Sequence, residues 1–199
     1  YFLGARIGKF GEDGKPRAIP GHNLPLSAAG VLILWLGWFG FNGGSVLSAD
    51  PELTSLTLVT TCIAAAAGGV SAAIFSNILY KTYDLTMFMN GVLGGLVGIT
   101  AGADLMSPKD ATLIGIIAGI ILPLGVSLID KLKLDDPVGA IAVHLICGIW
   151  GTLAVGIFGA KASVDQFVNQ LIGVGVIGLF SVICAGIIIY AIKTIVGIR

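Results

Sequence analysis

Charged residues along this chain are gathered into short clusters, and between them lie six long uncharged windows: 18–49, 53–80, 85–103, 111–129, 137–160 and 166–192. Each window holds at least 19 residues, and about 20 apolar residues suffice to cross a bilayer as a helix. Backbone groups in lipid must be satisfied internally, which leaves helices or a closed barrel. Barrel strands would be shorter and would alternate polar with apolar residues, and no window does so. The pattern predicts an all-α membrane protein of six transmembrane helices, about 26–47, 53–80, 86–103, 110–130, 137–159 and 164–195, preceded by a polar, Gly/Pro-rich loop over 1–25. Asp50-Pro51 and Ser107-Pro108 mark joints between spans. Asp136-Pro137 is expected to open the fifth helix, with Asp136 as its cap and Pro137 at its first helical position.

Composition agrees with this picture. The chain is 56% hydrophobic with a mean hydropathy of +0.99. Its 11 basic and 11 acidic residues make 22 charges in 199 residues, well under the roughly one quarter of a soluble domain. The net charge of zero gives no signal for nucleic acid, and none is expected as a partner. The distribution of basic residues speaks to orientation instead. An even number of crossings puts both ends on one side, where Arg6, Lys9, Lys15, Arg17, Lys81, Lys131, Lys133, Lys193 and Arg199 all fall. The other side has only Lys109 and Lys161, so the positive-inside rule makes both ends cytoplasmic in a multi-pass cell-membrane protein. The sequence opens on Tyr1-Phe2-Leu3-Gly4 without a start methionine or cleavage signal and stops at Arg199. It is expected to be a segment of a longer protein.

Glycine spacing predicts how the spans pack. Gly91 and Gly95, Gly94, Gly98 and Gly102, and Gly115 and Gly119 recur at four-residue intervals. Small residues at that spacing let membrane helices approach closely. Cys62, Cys147 and Cys184 lie inside apolar windows and read as small buried side chains.

Chemistry is sparse. His144 lies eight residues beyond Asp136, about 12 Å along a helix axis. Apart from Cys147, it is the sole titratable side chain between 137 and 160. Ionisable groups in a membrane are expensive and usually face a cavity or the bundle interior. Cys147 is three residues on, but no further His, Asp or Glu stands nearby to complete a metal site. Near the end of the first span, Trp35, Trp38, Phe39 and Phe41 run into Asn42-Gly43-Gly44-Ser45. A hydroxyl beside an aromatic face can receive a small cation through a hydrogen bond and cation–π attraction. No nucleophile–base pair, phosphate loop or dinucleotide fingerprint is present, so neither enzymatic activity, catalytic residues, cofactor nor metal is expected.

These residues carry a resemblance. Pro20-Gly21-His22-Asn23-Leu24-Pro25 followed by Leu36-Gly37-Trp38-Phe39-Gly40-Phe41-Asn42-Gly43-Gly44-Ser45 resembles the ammonium transporter family (Amt/Mep/Rh). Asn90-Gly91-Val92-Leu93-Gly94-Gly95-Leu96-Val97 with Thr100-Ala101-Gly102 is similar to one of its middle helices. Asp135-Asp136-Pro137-Val138-Gly139-Ala140-Ile141-Ala142-Val143-His144, followed by Cys147-Gly148-Ile149-Trp150-Gly151, resembles its second histidine helix. Trp38 and the Asp-Asp-Pro context fit the bacterial and archaeal Amt branch.

The family fold has eleven helices, two inverted five-helix repeats and a final helix. The resemblance implies that the six spans here are the second repeat plus that last helix. It implies transport of ammonium and ammonia through a hydrophobic pore, with Ser45 in an external recruitment site and Phe41 as a gate phenylalanine. Trp38 and His144 would line the pore, His144 as one of a histidine pair whose partner belongs to the first repeat. Asp136 would be structural, holding the backbone near the pore. The implied partners are ammonium or ammonia, the lipid bilayer, further copies in a homotrimer, and a PII-type nitrogen-regulatory protein on the cytoplasmic face. An ammonium sensor on the same fold and a non-conducting fragment of the transporter are the alternative readings.

Overall fold

The computed structural model describes residues 2–197; Tyr1, Ile198 and Arg199, the last of the counted basic residues, lie outside them. Six helices follow in order: α1 (Leu24–Gly44), α2 (Pro51–Tyr80), α3 (Leu85–Thr100), α4 (Pro108–Lys131), α5 (Ile141–Ala154) and α6 (Val164–Val196). Helices α1, α2, α4 and α6 are long and apolar enough to cross a membrane, whereas α3 and α5 are shorter apolar helices. Helix α3 is prolonged by tight turns, with Gly102 N–H donating to the Ile99 carbonyl at 3.0 Å and Leu105 N–H to Gly102 at 2.9 Å.

The helices begin where short polar side chains can satisfy free N–H groups. Asn23 Oδ1 accepts from Leu26 N–H at 2.9 Å, and Asp50 Oδ1 accepts from Glu52 and Leu53 at 2.9 and 3.1 Å. Ser107 and Asp110 form a reciprocal capping box at the start of α4. A proline stands in the first turn of α1, α2 and α4, where a missing N–H loses nothing.

Helices α2, α3 and α4 make the densest part of the bundle, and the predicted glycines are what let them meet. A methyl group at Gly95 or Gly115 would fall on the Ala64 backbone, one at Gly91 on Ala72, and one at Gly119 on Ser71 and the Gly68 carbonyl. Helix α5 docks on α3 in the same way, Gly151 against the Gly98 backbone. The core around them is small and apolar: Ala64, Ile99, Ile114, Ala118, Leu122, Ala142, Val143 and Cys147 are buried. Helix α6 by contrast has no buried residue along its 33 positions.

The fifth helix departs from expectation. It was predicted over 137–159 with Pro137 at its first helical position, but residues 137–139 form a turn and the helix starts at Ile141. Gly139 adopts φ +79, a left-handed conformation that no helix accepts, so the chain cannot wind before it. Asp136 still caps the helix, from farther back: its Oδ2 accepts from Ile141 N–H at 2.9 Å and Ala142 N–H at 3.2 Å. The first segment, Ile141–Ile146, is a π-helix in which Cys147 N–H reaches back to the Ala142 carbonyl. At the far end the helix stops at Ala154, five residues short of the expected 159; Gly156 and Ile157 close three-residue turns on Leu153 and Ala154, and Gly159 follows at φ +78.

The N-terminal segment, expected as a polar loop, is fastened to the bundle. A short antiparallel bridge joins Phe10 and Pro16, Lys9 pairs with Asp130 at 2.9 Å, and Arg6 pairs with Asp135 at 2.7 Å.

Candidate functional site

An open cleft of about 370 Å³ lies between α1, α3 and α5, lined by Trp38, Phe41, Val97, Thr100, Ala101, His144, Gly148 and Thr152. Three of the residues singled out from the sequence, Trp38, Phe41 and His144, thus share one wall-to-wall space. Each is placed by its helix. Trp38 and Phe41 are three residues apart on α1 and so project from one face, with ring centroids 5.9 Å apart and planes at 85°. Phe41 is 59% exposed and lines the cleft.

Thr100 fixes the tryptophan. The Trp38 indole N–H donates to Thr100 Oγ1 at 2.8 Å, and the Thr100 hydroxyl donates in turn to the Leu96 carbonyl at 2.7 Å. The indole donor is therefore consumed inside the wall, and the cleft meets the apolar ring. Thr100 and Thr152 bring the only hydroxyls to the lining and were not predicted as site residues. Their signal in the sequence was faint: Thr100 is one polar residue inside an apolar run.

His144 is solvent-exposed on the π segment and makes no hydrogen bond among the described residues, so its imidazole faces the cleft unengaged. Cys147, three residues on, is directed elsewhere: fully buried against α4, its thiol lies 3.7 Å from the Ala118 carbonyl. The two do not converge. Asn42, the polar neighbour of the aromatics, also turns away, donating from Nδ2 to Thr61 Oγ1 at 3.0 Å and tying α1 to α2.

Ser45 stands outside the cleft lining, exposed at the C-terminal cap of α1 one turn beyond Phe41. Its hydroxyl donates to the Phe41 carbonyl at 2.6 Å. With its hydrogen committed inward, Ser45 Oγ presents lone pairs alone to solvent. Asp136 also lies outside the cleft, at the entry to α5, where its carboxylate holds the first two N–H groups of the π turn.

The fold and site are those of an apolar helical bundle, four of its helices long and apolar enough to cross a membrane, with an open, largely apolar cleft that has one imidazole in its lining. The sequence matches the Ammonium Transporter Family over residues 1–199. Ammonium transporter Amt2 of Archaeoglobus fulgidus is 48% identical over 156 residues, which is 78% of this chain and 33% of that protein. Among solved structures, one named Sensor Amt Protein superposes with a TM-score of 0.94 at 38% identity, covering 98% of this chain and 50% of its own. Mep2 of Candida albicans gives 0.86 at 26% identity, with 94% and 45% covered. The chain belongs to the ammonium transporter family. It spans half or less of the length of these relatives and has the fold of about half of their bundle.

Proposed function

We propose that this chain supplies one side of a transmembrane path for ammonium and ammonia, with the Trp38–Phe41–His144 cleft as its conducting wall. The observation that carries the reading is the convergence of two aromatic rings and one unengaged imidazole on a single cleft from separate helices. Membership of the ammonium transporter family supports the choice of substrate.

The chemistry of the residues suits that substrate. Ammonium is four donors with no acceptor. Ser45 Oγ, its own hydrogen spent on Phe41, is a pure acceptor at the outer end of α1, and the Phe41 face below it offers cation–π attraction. We assign Ser45 to cation recruitment and Phe41 to the gate. Beyond Phe41 the wall is largely apolar. Carrying a bare monovalent cation into such a medium costs on the order of 20 kcal/mol in the Born limit. Removing its proton costs a few pK units at about 1.4 kcal/mol each. Neutral ammonia is therefore the cheaper cargo, and potassium, which has no proton to shed, is rejected. His144 can accept a hydrogen bond from ammonia or donate one to it within the cleft, and Trp38 keeps the wall apolar. Asp136 acts indirectly, by holding the backbone that carries His144. The function includes assembly as a homotrimer and docking of a PII-type regulatory protein on the cytoplasmic face, where loop 1–22 lies.

A His144→Ala exchange in the full-length polypeptide, reconstituted in liposomes, tests the assignment. Loss of most ammonium-evoked current is the expected result. An undiminished current removes His144 from the path. A sensor reading has one specific support, the 0.94 superposition on a protein named Sensor Amt Protein. The residues following Arg199 separate the two: a signalling domain there indicates a sensor, a short tail a transporter.

A further inference from the structure

Arg6 lies far from the cleft, yet its contacts lead to it. Three donors of this residue converge on one carboxylate: the backbone N–H reaches Asp135 Oδ2 at 2.9 Å, Nε the same oxygen at 2.7 Å, and the second guanidinium nitrogen reaches Oδ1 at 3.0 Å. This is the planar, bidentate fit that only arginine makes. The Asp135 side chain is only 4% exposed. A carboxylate so enclosed is tolerated when it is paired and hydrogen-bonded, and Arg6 is what pairs it.

The next residue faces the other way. Asp136 Oδ2 accepts from Ile141 and Ala142 N–H, the opening donors of the π segment. Between the two carboxylates and the helix there is little slack, because Gly139 sits at φ +79 with the Asn90 amide packed against the place of its missing side chain. His144 belongs to this π segment, and buried Cys147 closes it. A π turn is a less favourable geometry than the α-helix around it and persists where something holds it. A slip of one residue in register would turn the imidazole about 100° round the helix axis.

We propose that Arg6 is a positioning residue for His144: by clamping Asp135 it fixes the turn from which Asp136 holds the π segment in register, and so aims the imidazole into the cleft. The inference rests on the reading that His144 lines the conduction path, but its primary readout does not.

The experiment uses the full-length polypeptide in lipid, with ¹⁵N-histidine labelling and His144→Gln to assign the imidazole resonances. Variants are Arg6→Ala, Arg6→Lys and the exchanged pair Arg6→Asp with Asp135→Arg. The positioning role predicts that Arg6→Ala shifts the His144 resonances and lowers maximal ammonium current about three- to tenfold, while the half-saturating ammonium concentration stays within about twofold. Arg6→Lys should show the same changes in smaller measure, and the exchanged pair should restore both. Unmoved His144 resonances in Arg6→Ala overturn the proposal, whatever happens to the current, because Arg6 would then serve the loop alone. If Arg6→Ala fails to fold, Arg6→Lys is judged by the same criterion. A normal current in His144→Ala would sink the pore assignment instead, and the resonance shift would still decide the role of Arg6.

Discussion

At the scale of single residues, the candidate site works by committing hydrogen-bond donors to its own walls. Trp38 and Ser45 both spend their hydrogens on neighbours, Thr100 and the Phe41 carbonyl. The His144 imidazole has no such partner among the described residues. Removing the Thr100 hydroxyl with Thr100→Val should free the Trp38 indole N–H within the wall, at a cost of about 1–3 kcal/mol for the stranded donor. The Trp38 ring should then reorient and transport should fall; unchanged tryptophan fluorescence and uptake would mean that the bond has no part in shaping the cleft. Where the N-terminal segment is fastened to the bundle, the Arg6 guanidinium beside Asp135 holds its carboxyl well below the usual carboxylate range, lowered from 3.8 to about 2. A depressed folded-state pKa stabilises the folded form above the unfolded value, so the Arg6–Asp135 contribution is complete above about pH 4 and fades as pH falls from there towards 2. Protection of segment 2–17 against hydrogen exchange, taken relative to the intrinsic rate at each pH, should fall over that acid window and stay constant from about pH 5 to 8. Loss of protection on raising the pH instead would contradict the assigned charge pairing.

At the scale of elements, the glycines divide into two kinds. Ala at Gly95 or Gly115 would drive a methyl into the Ala64 backbone, and such overpacking costs about 1–3 kcal/mol. Gly173 on α6 has nothing within 4 Å, so Gly173→Ala should be neutral or slightly stabilising, within about 1 kcal/mol. Thermal unfolding in detergent should therefore separate Gly95→Ala and Gly115→Ala from Gly173→Ala, and equal melting temperatures would refute the packing role. The first kind was legible in the sequence, because four-residue spacing is a helical period and needs no tertiary knowledge. The uncharged windows were legible for a similar reason: lipid forces a long apolar run wherever a helix crosses. The π segment was not. Asp-Pro is an ordinary helix opening, and what defers the helix to Ile141 is the left-handed Gly139 together with a carboxylate reaching five and six residues ahead. Nor could a local pattern reveal that Arg6 meets Asp135 across 129 positions, or that Asn42 leaves the aromatic cluster to bind Thr61 on α2.

At the scale of the whole molecule, α1 and α6 carry broad apolar surfaces, with Leu32, Ile33 and Leu36 on the one and Ile177 and Phe180 on the other all more than 60% exposed. Water would not tolerate such continuous patches; lipid and neighbouring membrane helices do. The distribution of basic residues predicts a sidedness. Single cysteines at Lys15 and Lys133 should be labelled by an impermeant reagent from the cytoplasmic side, and cysteines at Lys109 and Lys161 from the opposite one. Labelling of all four from one side would overturn the six-crossing arrangement. The central claim is that the Trp38–Phe41–His144 cleft is the route of the cargo. Gly148 tests it most directly, because it lines that cleft and a Cβ there would meet only Val97, at 3.6 Å. Gly148→Leu in the full-length polypeptide should fill the cleft without disturbing the packed core. Uptake of labelled methylammonium should fall to background while the protein remains folded and inserted; uptake at the unsubstituted rate would show that the cargo travels elsewhere.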